Sequence, residues 1–246
     1  MPSLAKAYIA VITTAALAVM ALVASDWSPA NFGIFALFYA VAMIASAMKI
    51  RLPGFKTTIS MNFAFILTGI ALFSFGETVL IGLGGALVQS LWKTQHRPKP
   101  VQVLFNAACL TVCAATAFWT SHTVPVMLRL NSVLLTMVLG AGVYLALNTG
   151  LVSLVISLAE GRPLIQEWPS CYEWTFPYFL VGAALAGIAS TAARGTNIGA
   201  SLVVLPMMYL VYVYYRMRIM RVVLEGISSA SAASETALVG ASRTHA

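Results

Sequence analysis

The chain has 246 residues, 60% of them hydrophobic and only 9% charged, with a formal net charge of +7. Soluble domains average roughly 45–50% apolar and about 25% charged residues, so this composition excludes an ordinary soluble core. The basic residues sit in short clusters at the ends of apolar runs, which argues against a nucleic-acid surface and matches the positive-inside pattern of membrane proteins.

Helices are predicted near residues 5–25, 31–49, 59–76, 78–93, 101–121, 132–158, 175–194 and 197–221. A bilayer core about 30 Å thick needs roughly 20 apolar residues per crossing. The runs therefore predict an all-α fold, a polytopic transmembrane helix bundle of about eight spans over residues 1–225, with a flexible tail at 226–246. That tail is rich in Ser, Ala, Thr and Gly and has too little apolar pattern to fold alone.

The first run resembles a signal peptide, with Lys6 as its basic region and Val23-Ala24-Ser25 as a weak cleavage site. The loops downstream alternate correctly only if it is kept as an uncleaved first span. Twelve of the fourteen Lys and Arg residues then face one side: Lys6, Lys49, Arg51, Lys56, Lys93, Arg97, Lys99, Arg162, Arg216, Arg218, Arg221 and Arg243. Arg129 and Arg194 face the other. This split predicts an even number of spans, both termini in the cytoplasm, and a multi-pass membrane protein.

The expected cytoplasmic breaks are 49–56, with Pro53-Gly54, and 93–100, with Pro98 and Pro100, followed by the stretch around Arg162. The opposite breaks are 26–30, Gly76-Glu77, 121–131 and 194–197; at Glu77 and Gly195 they are so short that the flanking helices must form a tight hairpin or one of the pair must fail to span. Segments 52–93 and 98–158 read as a tandem hairpin repeat through Asn62-Phe63 and Phe105-Asn106. Trp168 and Trp174 suit a segment lying in the membrane interface. Pro206 is expected to bend the last helix and free the Leu202 carbonyl.

The polar residues within the spans are the candidate site. Asn62, Gln89, Asn106 and Asn148 carry amides that need partners away from water, either as ties between helices or as the lining of a polar ligand pocket. Gln102, near the start of helix five, belongs to either group. Glu77, at an outer helix end, reads as an N-terminal cap or as a proton or cation site.

Cys109 and Cys113 share a helix face as small packing residues, with no metal-ligand spacing around them. His96, His122 and His245 form no set that would hold a metal or haem. Runs such as Gly82-Leu83-Gly84-Gly85 let helices approach closely, and they lack the Lys-Ser/Thr of a phosphate loop. No hydrolase or metalloprotease motif occurs, so no catalytic residues are expected.

At Leu52-Pro53-Gly54-Phe55, Ile59-Ser60-Met61-Asn62-Phe63-Ala64-Phe65 and Val103-Leu104-Phe105-Asn106-Ala107-Ala108, the chain resembles the MASE-type membrane sensor domains. These stand N-terminal to bacterial GGDEF and HD-GYP signalling proteins. The stretch from Met208 to Arg216 is similar to the last span of that group. The resemblance covers roughly residues 30–225 and implies a domain that receives a signal in the membrane and passes it through its final helix. It carries over no ligand residues, and the chain has no GGDEF or HD-GYP residues. The expectation is either a free-standing member or the membrane part of something longer.

The first functional expectation is thus a non-enzymatic membrane sensor or scaffold. Its partners would be the lipid bilayer, a small-molecule ligand, a cytoplasmic signalling protein or output domain, and a second copy in a homodimer. The alternative is a small-molecule transporter or the substrate-binding subunit of one, since hairpin repeats and mid-span amides also suit a site at a repeat interface. A membrane enzyme acting on lipid would need acid, base or metal ligands that the sequence does not offer.

Overall fold

A computed structural model describes residues 2–25, 27, 31–51, 58–92, 98–130, 132–161, 163, 179–193, 206–214, 216–217 and 219–221. The elements are α1 (Ser3–Ser25), α2 (Phe32–Ala47), β1 (Lys49–Arg51), β2 (Thr58–Ser60), α3 (Phe63–Leu72), α4 (Phe75–Leu91), α5 (Pro100–Met127) and α6 (Val133–Glu160). They are followed by α7 (Phe179–Ala193) and by α8, helical at 206–214, 216–217 and 219–221. The fold is a helical bundle with one short antiparallel strand pair.

Local chemistry sets several boundaries. The Asn31 side chain accepts from the Ile34 N–H at 3.2 Å and starts α2. Pro100 opens α5, where its missing N–H costs nothing. Gly161 ends α6 at φ 71°, a left-handed turn that glycine adopts without a Cβ penalty.

Among the described residues three helices, α1, α5 and α6, are long and apolar enough to cross a membrane. α2, α3, α4 and α7 are shorter, and α3 is the shortest of these four. Its ten residues rise only about 15 Å, so it cannot replace the full span expected over 59–76. The missing first part is β2, which pairs with β1 in the register Lys49↔Ser60, Ile50↔Ile59 and Arg51↔Thr58. Thr57, Thr58 and Ile59 are all β-branched and favour an extended chain, so one arm of the supposed cytoplasmic loop and the start of the supposed helix form a hairpin.

From β2 onward the chain runs antiparallel along α4. Ser60 meets Gln89, Asn62 lies against Gly85, Ile66 against Gly82, and Gly69 against Thr78 and Ile81. Residues 58–72 thus traverse the length of α4 as a strand followed by a short helix.

Every residue of α3 from Phe63 to Ile70 is buried. Phe38 of α2 packs on Phe65 and Phe73, with centroids 5.4 and 4.9 Å away. On the other side Phe63 meets Tyr144 of α6 at 5.2 Å and Phe179 of α7 at 4.1 Å. Leu67 and Ile70 press on Gly140, where α6 also crosses Ser121 of α5. A ten-residue apolar helix is hydrophobic all round because protein, not lipid, surrounds it.

Three further boundaries differ from expectation. The α3–α4 turn is at Phe73-Ser74, and Glu77 lies within the first turn of α4 rather than in the loop. α5 runs on to Met127 with Pro125 inside it, so the outer break shrinks to about 128–132. A proline so near the end removes only one ladder bond, and Val126 and Met127 extend the helix past it. The two hairpins expected to form a tandem repeat are also unlike, since the first arm of one is a strand plus α3 and that of the other is the 28-residue α5.

Lys6 and Lys99 lie at the end of the bundle where Tyr8 meets Phe105, and Lys49 joins that end by donating to the Trp92 carbonyl. Arg129 follows α5 at the opposite end. The Pro53-Gly54 stop, the interfacial segment of Trp168 and Trp174, the turn at Gly195, the Leu202 carbonyl and the tail lie outside the described residues.

A candidate polar site along α4

The glycines of α4 each make room for a different neighbour. A Cβ on Gly82 would stand 3.1 Å from Cβ of Ala114 on α5, and one on Gly84 would meet the Tyr39 hydroxyl of α2 at 2.1 Å. At Gly85 the space is taken by Asn62, whose Nδ2 would be 1.8 Å from such a Cβ and whose Cγ would be 2.6 Å away. Ser46 Oγ closes the same spot at 3.0 Å.

Asn62 is 1% exposed and stands at the junction of β2 and α3. Its Nδ2 donates to the Ile81 carbonyl at 3.3 Å, while its buried Oδ1 has no hydrogen-bond partner among the described residues. The Asn62 side chain does not cap α3. Ser46 Oγ donates to the Ala42 carbonyl at 2.7 Å and keeps its lone pairs facing the junction as acceptors.

One turn along, Gln89 Oε1 accepts from Ser60 Oγ at 3.0 Å, and Asn106 Nδ2 donates to Ser90 Oγ at 3.2 Å. Both amides are half-buried. Asn62, Gln89 and Asn106 therefore converge on the last two turns of α4; Gly85, read from the sequence only as a close-packing glycine, completes the cluster with Ser46, Ser60 and Ser90, which the sequence reading passed over as site residues. No short motif marks those serines, because the partnership depends on how α2, β2 and α5 pack against α4.

The remaining candidates stand apart. Gln102 is exposed and its Oε1 accepts from the Lys99 N–H at 3.1 Å, closing the start of α5. Asn148 is half-buried on α6.

Glu77 is at the other end of α4. It is 2% exposed and forms a reciprocal cap with Ser74, whose N–H and Oγ donate to Oε2 at 2.9 and 2.8 Å. The Glu77 N–H donates back to Ser74 Oγ at 3.4 Å. The cap reading of Glu77 is thus what the geometry gives, but it uses one carboxylate oxygen. Oε1 is buried and has no hydrogen-bond partner among the described residues.

Cys109 and Cys113 are fully buried on α5. Among the described residues no three His, Cys, Asp or Glu side chains are grouped to hold a metal ion. Comparison with protein families, with curated proteins and with solved structures finds no match to this chain.

Proposed function

We propose that this protein is a non-enzymatic sensor or scaffold domain of the bacterial inner membrane, which binds a small ligand among its helices and reports through α8. In this reading eight segments cross the bilayer, β2 with α3 counting as one, and both termini are cytoplasmic. Lys6, Lys49 and Lys99 at one end and Arg129 at the other support that orientation.

The observation that carries the proposal is Asn62. Ala114, at the middle of α5, lies against Gly82, so by helical rise Gly85 and Asn62 stand only about 5 Å from the level of the bilayer centre. An acceptor at that depth without a donor is costly, and a ligand that donates to it recovers the loss. The acceptor sits where strand becomes helix, and β2 leads back through β1 to α2, so occupancy acts on the packing of several elements together. α8 is anchored by the fully buried Met208 and exposes Arg216 and Arg221 beyond it, which supports an output at the cytoplasmic surface.

The test is crosslinking and pull-down from native membranes, compared between wild type and Asn62→Leu. Capture of a signalling protein, altered by the substitution, is the expected result. Failure to capture any, with no change in signalling on deletion, refutes the reading.

A transporter is favoured by one specific feature, the discontinuous third segment with a polar group near mid-membrane, since such breaks form many solute sites. Uptake of labelled solute into proteoliposomes, abolished by Asn62→Leu, would select it over the sensor.

A further inference from the structure

The free oxygen of Glu77 is a second interior acceptor, separate from the Asn62 cluster. Glu77 stands five residues before Gly82, so it lies about 8 Å from the level of the α5 midpoint, inside a hydrocarbon half-thickness of about 15 Å. Ionisable groups at such depth are costly to keep and mark functional sites.

Among the described residues no counter-ion stands against it. α1 approaches through Val23, and Trp27 beyond its end also lies beside Gly76, while Lys6 and Tyr8 of α1 are at the far end. α2 and α3 contain no charged residue, and Tyr39 of α2 lies further down α4 at Gly84. α5 contributes Phe118 and Trp119 against Phe75, with His122 stacked behind Phe118 at 4.1 Å. Asp26, next to Trp27 in sequence, lies outside the described residues.

We propose that Glu77 is a proton-binding site of this membrane domain, loaded through Ser74 from the end of the bundle that carries Arg129. Among cations only a proton fits Oε1 without displacing its neighbours, because that oxygen is enclosed on all sides. Ser74 is exposed at the surface of the bundle while Glu77 is buried directly behind it, so the pair links that surface to the interior. One proton from water, relayed by the Ser74 hydroxyl, reaches Oε2, the oxygen that hydroxyl contacts, and converts the carboxylate to the neutral acid; a half-turn of the carboxyl group then places the O–H where Oε1 stood and leaves the other oxygen accepting from Ser74. Loss of the charge weakens both Ser74 bonds, which are charge-assisted only to the ionised form, and so loosens the α3–α4 turn.

The experiment is infrared titration of the full-length protein in lipid nanodiscs, following the carboxylic C=O stretch from alkaline to acid pH. The chain has seven Asp and Glu side chains, and carboxyls in contact with water protonate at acid pH with a lower-frequency stretch, so one high-frequency band of a buried acid is expected beside theirs, lost completely in Glu77→Gln and kept in Asp26→Asn and His122→Ala. Glutamine still accepts from Ser74, so the variant keeps its cap and its fold. A high-frequency band that survives Glu77→Gln, or that disappears in Asp26→Asn instead, overturns the proposal, as does the absence of that band from the wild type. The direction of loading rests on the topology proposed above and is tested separately by labelling Ser74→Cys with an impermeant reagent in a Cys171→Ser background. Labelling only from the cytoplasmic side overturns that topology and the outward direction, while the titration alone decides whether Glu77 takes the proton.

Discussion

Gly85 and Asn62 occupy one site between them: the amide nitrogen of Asn62 stands 1.8 Å from where a Gly85 side chain would begin. Asn62 reaches Ile81 only because the helix beside it carries a hydrogen there. Gly85→Ala therefore expels the amide from its place. The expected cost is about 1–3 kcal/mol, the usual penalty for overpacking, measured as a fall in thermal stability in lipid nanodiscs. Adding Asn62→Gly should restore much of it, and a double-mutant cycle with no coupling between the two sites would contradict the geometry.

Asn62→Leu should behave differently. Its bond to the Ile81 carbonyl is long at 3.3 Å, and that carbonyl lies in the interior of α4, where the helix ladder already uses it. Removing both the bond and an unpaired buried oxygen should change stability by less than about 1 kcal/mol. A thermal midpoint close to wild type, together with lost response or uptake, is the expected pair of results.

The glycines of α6 should split by sign. Gly140 faces Ser121 Oγ at 2.9 Å from the site of a Cβ, whereas Gly142 and Gly150 have nothing within 4 Å. Alanine at Gly140 should destabilise the α5–α6 contact, while alanine at Gly142 or Gly150 should add up to about 1 kcal/mol of helix propensity. Thermal unfolding of the three single variants checks the order.

Ser74→Ala removes the hydroxyl donor to Glu77 Oε2, leaves the backbone one, and takes away the acceptor of the Glu77 N–H. The loss of an N-cap hydroxyl should cost about 1 kcal/mol, and Ser74→Thr should retain most of it. Equal stability of the alanine and threonine variants would show that the cap contributes nothing.

The eight helical segments were legible because each apolar run is long and bounded by charge, Gly or Pro. Two errors had signals that could have corrected them. Ser74 and Glu77 form the Ser-x-x-Glu pattern of a capping box, which places the helix start at Ser74 instead of Glu77. The run Thr57-Thr58-Ile59 is a β-branched signal inside what hydropathy alone reads as helix. The site was half legible: Asn62, Gln89 and Asn106 stood out as amides in apolar surroundings, but Ser46, Ser60 and Gly85 acquire meaning only from the crossing of α2, β2 and α4. Nothing local told the buried Asn62 from the exposed Gln102.

The encasement of α3 bears on how the protein is made. A ten-residue helix is too short to be handed to the bilayer as an independent crossing, and its walls include α6 and α7, which are synthesised after it. During translation β2 and α3 therefore have no finished berth, and they settle only when Tyr144 and Phe179 have arrived. Biogenesis is committed late, and nascent chains truncated before Phe179 should remain targets of membrane quality control even though six of the helices are already present.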